Sequence, residues 1–240
     1  MKKRLFSILL ILALLCSLLP QAALSARAEG APVFEDVPED AYYKKAVDWA
    51  VENGITSGTT ATTFSPKKTC TRAEVMTFLW AAAGREKTNA ENPFTDISAD
   101  KYYYRAVLWA VERGITGGTS ASTFSPKKGC TRAEVVTFLW AFAGRPTVDI
   151  ENPFEDVTPG KYYYKAVLWA YANGITSGTT ETTFGPKELC TRAQVVTFLY
   201  KALAEEETPD ERLNEYGLAK IVEDGAILHA WCWNFNTIRR

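Results

Sequence analysis

A five-residue motif with the composition of an anion-binding helix start recurs three times in the chain, at intervals of sixty residues. Its copies are Cys70-Thr71-Arg72-Ala73-Glu74, Cys130-Thr131-Arg132-Ala133-Glu134 and Cys190-Thr191-Arg192-Ala193-Gln194. In each copy, Thr precedes Glu or Gln by three residues and an apolar run follows, which is the capping-box pattern. The motif therefore predicts three helix N-termini with the same polar signature.

The cap does not explain the arginine of this motif. A cation in the first turn of a helix faces the positive end of the helix dipole, which costs roughly 0.3 to 1 kcal/mol. Helix N-termini and arginine side chains both favour carboxylates and phosphates. A bound anion is therefore the simplest compensation, and it makes the three motif arginines, Arg72, Arg132 and Arg192, candidate anion ligands.

The motif cysteines occupy one equivalent position in three repeats, so they cannot all pair with one another. Each directly precedes the predicted N-cap, where an apolar residue often packs, and a free cysteine packs well as a small hydrophobe. We expect Cys70, Cys130 and Cys190 to be buried thiols. A disulfide, in which Cys232 is a further candidate, and a three-cysteine metal site are the open alternatives.

The elements that position this motif follow the same sixty-residue period. In the first copy, Tyr43, Ala46, Val47 and Ala50 form one stripe of a helix that is predicted to start near Tyr42 and to stop at Asn53-Gly54. A loop rich in Gly, Ser and Thr leads to a second helix from Arg72 to about Ala83. The tryptophans of the first helices, Trp49, Trp109 and Trp169, are predicted to pack in the core.

The first 28 residues have the pattern of a secretory signal peptide, with three basic residues before an apolar run and a small-residue cleavage site. They hold four basic and no acidic residues, so without them the formal charge of −1 becomes −5. This charge disfavours a nucleic-acid partner. No later stretch approaches about 20 apolar residues, so we expect an exported, soluble chain without a transmembrane segment after cleavage.

The composition changes after the third repeat. Residues 205–210 read as an acidic linker, residues 213–218 as a short helix and residues 227–235 as one strand. His229, the one histidine of the chain, lies in this predicted strand and is expected to be structural. The chain shows no Ser-His, Cys-His, HExxH or phosphate-loop pattern.

The repeats resemble the S-layer homology (SLH) family. The first repeat carries the motifs that show this, in the family's order and spacing: Phe34-Glu35-Asp36-Val37, Gly54 to Gly58, Phe64 to Pro66 and Thr71 to Glu74. The resemblance implies an all-α fold in which three helix-loop-helix SLH repeats close into a pseudo-threefold helical spindle, followed by a partly ordered C-terminal tail. The repeats are assigned to residues 32–86, 92–146 and 152–204.

The resemblance also implies a ligand, the secondary cell-wall polymer of Gram-positive bacteria, often bound through a pyruvylated amino sugar. A ketal pyruvate is a carboxylate, so the motif arginines would be its partners. The other residues implied as ligands are the aspartates Asp36, Asp96 and Asp156, the glycines Gly58, Gly118 and Gly178, the tyrosines Tyr42, Tyr102 and Tyr162, and the motif residues Glu74, Glu134 and Gln194.

Several of these implied roles have alternatives. The aspartates could bond sugar hydroxyls or cap a local turn, and the glycines could let a sugar approach the backbone or provide a positive φ. The tyrosines stand where the family usually has Trp and could still stack on a sugar. Because Gln194 replaces Glu in the third copy, we expect sites one and two to be duplicates and site three to differ.

The tail has a weaker resemblance to the opening of an α-amylase-type glycoside hydrolase, carried by Glu215 to Leu218 and Asp224 to Ile238. A (β/α)₈ barrel takes about 250 residues, and the carboxylate pair of such enzymes comes from later strands. Residues 205–240 are therefore assigned to a linker and the truncated start of a possible catalytic domain. The alternative to a plain anchor is the N-terminal fragment of a wall-anchored amylase, inactive as it stands.

These observations favour a non-catalytic wall-anchoring module without a cofactor or metal. We expect a monomer that is secreted to the cell wall or S-layer of a Gram-positive-type bacterium, where it binds polymer or peptidoglycan-linked glycan. A self-assembling lattice protein is disfavoured, because such proteins usually carry a much larger assembly region after the repeats.

Overall fold

The computed structural model describes residues 34–204, which form six α-helices joined by loops. The helices are α1 (Lys44–Glu52), α2 (Arg72–Ala82), α3 (Tyr104–Glu112), α4 (Arg132–Phe142), α5 (Tyr164–Ala172) and α6 (Arg192–Leu203). Across this range the only β-type pairings are isolated bridges. The prediction of an all-α fold with two helices per repeat is confirmed. The predicted leader and everything predicted after residue 204 lie outside the described residues.

The second helix of each repeat starts with the predicted cap. In α2 the Thr71 hydroxyl accepts a hydrogen bond from the backbone N–H of Glu74 at 3.3 Å, and the Glu74 carboxylate accepts one from the Thr71 N–H at 2.7 Å. The α6 start has the same arrangement, in which Gln194 Oε1 accepts from the Thr191 N–H at 3.0 Å. An amide therefore satisfies the cap as well as a carboxylate does.

The three repeats close into a ring. The first helix of one repeat packs on the second helix of the repeat before it, so α3 packs on α2 and α5 on α4, while α1 packs on α6 and closes the circle. At the centre, the backbone N–H groups of Cys70, Cys130 and Cys190 donate to the carbonyls of Cys190, Cys70 and Cys130, at 2.8 to 2.9 Å. This hydrogen-bonded triangle gives the described residues pseudo-threefold symmetry.

The same closure satisfies the free N–H groups at the helix starts. The N–H groups of Arg72 and Ala73 donate to the carbonyls of Lys128 and Pro126 in the next repeat, at 2.9 and 3.1 Å, and the third N–H, that of Glu74, bonds to the cap. The equivalent groups of α4 and α6 do the same. The helix N-termini are therefore occupied within the protein and are not open anion sites.

The core contains the residues that the helical stripes predicted. Trp109 and Trp169 are buried, and Trp49 packs against Tyr200 with ring centroids 5.7 Å apart. Cys70, Cys130 and Cys190 are free thiols with no exposed surface, as the packing interpretation predicted. Their burial raises the pKa of each thiol, that of Cys190 to about 12.

In each repeat, the loop between the two helices requires a glycine at one position. Gly118 has φ of +88°, and a Cβ placed there would lie 2.5 Å from the Phe94 ring and 2.5 Å from the Thr123 carbonyl oxygen. The equivalent glycines of the other repeats have φ of +90° and +94° and meet equivalent atoms. The missing side chain would thus point into the repeat, which favours the turn role over a role in sugar approach.

A pair of neighbouring glycines tests this account of the loop. Gly118→Ala forces a left-handed conformation and an overlap with the Phe94 ring, so it should lower the free energy of unfolding by at least about 1–2 kcal/mol. Gly117→Ala is the matched control, because a Cβ at Gly117 meets nothing within 4 Å. It should change stability by no more than about 0.5 kcal/mol. Urea unfolding of both variants measures the difference, and equal stabilities would contradict the described loop.

Candidate ligand-binding grooves

A groove with a volume of about 480 Å³ brings together residues of all three repeats. Arg72 comes from the first repeat, Gly118 and Glu134 from the second, and Tyr162 from the third. We call this the first groove. The sixty-residue period gives a second groove with Arg132, Gly178, Gln194 and Tyr42, and a third groove with Arg192, Gly58, Glu74 and Tyr102.

The electrostatic effects of groove residues on one another support the residue sets given for the second and third grooves. The charge of Arg132 acts on the pKa of Tyr42, and the charges of Glu74 and Arg192 act on the pKa of Tyr102. Each groove therefore combines an arginine from one repeat, a loop and an acid or amide from the next, and a tyrosine from the third. No single repeat could form a groove alone.

Each motif arginine crosses from its own repeat into the next. The Nε of Arg72 donates to the Phe124 carbonyl at 3.0 Å, and its guanidinium carbon lies 4.9 Å from the Phe124 ring centroid and 5.3 Å from that of Phe138. The side chains of Arg132 and Arg192 make the same contacts in the repeats that follow them, and all three arginines are only 3 % exposed. Cation–π contacts and one carbonyl thus offset part of the cost of burial.

The outer ends of the three guanidinium groups differ. Nη1 of Arg72 donates to Oε1 of Glu134 at 3.0 Å, and Nη1 of Arg192 lies 3.6 Å from Oε1 of Glu74. By the sixty-residue period, Gln194 is the counterpart of these glutamates for Arg132, which forms no ion pair with any residue between 34 and 204. For two arginines, the compensating anion that the sequence suggested is a carboxylate of the same chain.

This arrangement corrects the expected position of the variant site. The sequence predicts that the Gln194 variation affects the site of Arg192, because both residues belong to the third motif. In the structure, Arg192 pairs with Glu74 of the first repeat. The sixty-residue period then assigns Gln194 to the groove of Arg132. The variant groove is therefore the second one, because the ring places each arginine opposite the acid or amide of the following repeat.

A lysine that the sequence analysis missed completes the first and third grooves. Lys128 Nζ contacts Oε1 of Glu134 at 3.2 Å, and Lys68 Nζ contacts Oε1 of Glu74 at 3.0 Å. Burial alone raises the pKa of Glu134, but the Thr131 N–H and the charges of Arg72 and Lys128 outweigh it, so the pKa is lowered. The recurrence of lysine four residues before the motif arginine was the available signal.

The aspartates use both carboxylate oxygens inside the protein. Asp36 accepts from the N–H groups of Phe64 and Ser65 at 2.7 Å each, and its equivalents Asp96 and Asp156 accept the same pair of bonds at 2.7 to 2.8 Å. These bonds hold the loop before the second helix. They favour the turn-holding alternative, and a ligand role for the aspartates stays a prediction.

The tyrosines are the exposed parts of the grooves. Tyr42, Tyr102 and Tyr162 are 64 to 69 % exposed, and each packs edge-on against the following tyrosine with centroids 5.0 Å apart. Partial burial raises the pKa of Tyr102 to about 12, so its phenol is neutral at physiological pH. An exposed ring held by a neighbour is suited to stacking on a sugar face.

None of the helices between residues 34 and 204 is long and apolar enough to cross a membrane. The same part of the chain contains no group of three or more His, Cys, Asp or Glu side chains arranged to hold a metal ion.

Comparison with known families identifies the fold. The S-layer homology domain matches residues 33–76, 93–136 and 153–196, together more than half of the chain. The chain therefore belongs to the S-layer homology family. Its three matched stretches contain the motif arginines and the aspartates, so the grooves described above are built from family segments.

Curated relatives include cell-surface proteins and enzymes. The chain is 36 % identical over 156 residues to the surface-layer 125 kDa protein of Lysinibacillus sphaericus, covering 63 % of this chain and 13 % of that protein. It is 29 % identical to an endoglucanase of Bacillus sp. (strain KSM-635), over 83 % of this chain and 22 % of the enzyme. It is 26 % identical to the cellulosome-anchoring protein of Acetivibrio thermocellus, over 60 % of this chain and 34 % of that protein. The chain thus spans about a third or less of the length of these relatives.

The ionised Glu134 gives a testable pH dependence. Because its pKa is lower in the folded chain than the usual value of about 4.3, it stabilises the fold above that pH, and the contribution is lost as the pH falls through the folded pKa. Glu134→Gln should keep the cap but lose the ion pair, lowering the free energy of unfolding at pH 7 by about 1–3 kcal/mol.

The matched control for this prediction is the reverse change in the second groove. Gln194→Glu should raise stability at pH 7, because it adds a carboxylate opposite Arg132. Both differences from the unmodified chain should shrink below about pH 4, as measured by urea unfolding across a pH series. A difference that is constant with pH would show that the charge of the carboxylate is not responsible.

Proposed function

We propose that residues 34–204 are a non-catalytic module that anchors the chain to the bacterial cell surface. Its ligand is a secondary cell-wall polymer with acidic sugars, and the acidic group is a ketal pyruvate on an amino sugar. The observation that carries this proposal is the composition of each groove, a clamped arginine beside an exposed tyrosine. A guanidinium and an aromatic ring are the groups that bind a carboxylate and a sugar face.

The geometry of the grooves suits a polymer rather than a free sugar. Three grooves around one axis can engage successive acidic residues of the same chain, and linked sites gain affinity through effective concentration even when each site is weak. A monomer with three grooves needs no oligomer for this gain. The localisation that follows is the cell wall or S-layer of a Gram-positive-type bacterium, with peptidoglycan-linked glycan as the attachment point.

The carboxylates of the grooves are poorly suited to glycoside hydrolysis. A general acid needs a raised pKa, whereas the pKa values of Glu74 and Glu134 are lowered by backbone N–H groups and neighbouring cations. We therefore assign no catalytic residue among the described positions.

A second candidate concerns the longer protein to which such a module can belong. The tail resembles the start of an α-amylase-type enzyme, and the chain is 25 % identical over 176 residues to an amylopullulanase of Thermoanaerobacterium thermosulfurigenes, 71 % of this chain and 9 % of that enzyme. This candidate is an amylase anchored by the repeats. It predicts that the genomic reading frame continues beyond codon 240 into barrel strands, and a stop codon directly after it would rule the candidate out.

Sedimentation with purified cell walls tests the anchoring function. The chain should bind native walls, and binding should fall at least about tenfold after chemical removal of the secondary polymer or after mild acid cleavage of the ketal pyruvate. Replacing Tyr42, Tyr102 and Tyr162 together by Ala should weaken binding without unfolding, because these side chains are mostly exposed.

The matched control is Tyr171→Ala, which removes an exposed tyrosine that belongs to none of the three grooves. This variant should bind like the unmodified chain. Binding that survives polymer removal, or that responds equally to Tyr171→Ala and the groove variant, would contradict the proposed function.

A further inference from the structure

The three junctions of the ring are not joined in the same way. Residues 85–93, the first connector, link the first repeat to the second, and residues 145–153, the second connector, link the second repeat to the third. The third junction, where α6 meets α1, is closed by non-covalent contacts between the two ends of the described chain. The ring can therefore open at this junction without any change in the chain itself.

Ion pairs clamp the first junction. Oε2 of Glu86, in the first connector, accepts a hydrogen bond from the indole N–H of Trp109 at 2.8 Å and lies 2.6 Å from Nη2 of Arg113. Across the same junction, Arg72 pairs with Glu134 at 3.0 Å. The first two repeats are thus held together by charged groups as well as by packing.

The second junction lacks these ion pairs. Pro146 and Asn173 stand at the positions of Glu86 and Arg113, so neither side chain of that pair is present. The motif arginine of this junction, Arg132, forms no ion pair with any residue between 34 and 204. The second and third repeats are held by apolar packing, cation–π contacts and hydrogen bonds to carbonyls.

The third junction is more polar than the other two. The ion pair across it, between Arg192 and Glu74, is 3.6 Å long. Lys44 and Asp48 of α1 stand where α3 and α5 carry Tyr and a buried Leu, and they pair with each other at 2.5 Å. Trp49 is only partly buried, whereas its counterparts in α3 and α5 are buried. The third repeat is therefore less firmly clamped on both of its sides than the first two repeats are to each other.

An open ring would leave backbone groups of the third repeat without partners. The N–H groups of Arg192 and Ala193 donate to carbonyls of the first repeat at 2.9 and 3.1 Å, and Cys190 bonds to the backbones of the other two motif cysteines. Leaving such groups unpaired is costly. A second copy of the chain carries the same carbonyls and aromatic rings, so a third repeat that leaves its own ring regains every contact in the ring of another copy.

The second connector has the properties of a hinge for this exchange. Its nine residues reach about 30 Å when extended, and the residues before Pro146 and Pro153 are biased towards extended backbone. Its first residue, Arg145, has φ of +58°, a left-handed conformation that is unfavourable for residues other than Gly. Extension of the connector relieves this strain, and strained hinge loops favour the exchange of domains.

From these unequal junctions we infer that the third repeat is an exchangeable unit, and that two copies of the chain interchange their third repeats to form a dimer of closed rings. Such an exchange reuses the contacts of the monomer. Each groove of the dimer then combines both copies, because each contains a residue of the third repeat: Tyr162 in the first, Gln194 in the second and Arg192 in the third. The inference concerns contacts between repeats and does not rest on the proposed ligand.

Refolding at increasing protein concentration tests this inference. The full chain is unfolded in urea and refolded with a reducing agent present, so that the thiols cannot form disulfides. Size-exclusion chromatography with light scattering should show a monomer and a dimer, and the dimer fraction should rise with the concentration during refolding. The isolated dimer should revert to monomer slowly after dilution, because both rings must open first.

Isotope mixing distinguishes an exchanged dimer from surface association. Copies labelled with ¹⁴N and ¹⁵N are refolded together, and the dimer is treated with a lysine cross-linker. Cross-links that join the second and third repeats within the monomer should appear in the dimer between one ¹⁴N chain and one ¹⁵N chain. A dimer formed by surface association would give these cross-links within single chains only.

The two connectors supply a matched pair of variants. Pro146→Glu combined with Asn173→Arg places the ion pair of the first junction in the second, and should lower the dimer fraction at least about fivefold. Glu86→Ala removes that ion pair from the first junction, so the first repeat is also released more easily and the dimer fraction should rise. Far-UV circular dichroism of the monomers checks that both variants keep the helices.

Three results would overturn the inference. They are a monomer at every concentration, a dimer without mixed-isotope cross-links between the second and third repeats, and an equal dimer fraction in the unmodified chain and in Glu86→Ala. The last comparison decides the question even where the double variant does not fold. None of these results bears on wall binding, because the monomer already has three complete grooves.

Discussion

The structure depends on three arginines that are buried at the junctions between repeats. A guanidinium taken out of water is costly unless other groups compensate it, and none of the three finds its compensation inside its own repeat. The carbonyl, the two aromatic rings and, in two cases, the carboxylate come from the following repeat. Each repeat therefore needs the next, and the third needs the first.

This dependence accounts for both the closure of the ring and the position of the grooves. The helix starts donate their N–H groups to the next repeat, and the cysteine backbones form a triangle at the centre. The grooves lie where these junctions reach the surface, and a tyrosine from the remaining repeat completes each one. The contacts that hold the repeats together thus also position the groups that face a ligand.

Local features were predictable from the sequence because they depend on neighbouring residues. The capping residues, the helical stripes with their tryptophans and the buried cysteines all follow from short-range patterns, and all are present. The partner of each arginine was not predictable, because the period does not say which copy faces which across the ring. The pairing of Gln194 with the groove of Arg132 instead of that of Arg192 was missed for this reason, as was the lysine beside each glutamate.

A strict repeat would give three equal grooves, and the third motif breaks that equality. Gln194 keeps the cap, so the helix is unaffected, but it stands where the other two motifs carry a glutamate, and Arg132 forms no ion pair among residues 34–204. Within residues 34–204, the fold therefore tolerates a buried Arg132 that has no carboxylate within ion-pair distance.

A crystal structure of the chain with the pyruvylated amino sugar tests this account most directly. The proposed function predicts that the ketal carboxylate lies within about 3 Å of the guanidinium of a motif arginine, with the sugar ring against the tyrosine of the same groove. A sugar bound away from all three arginines would contradict it.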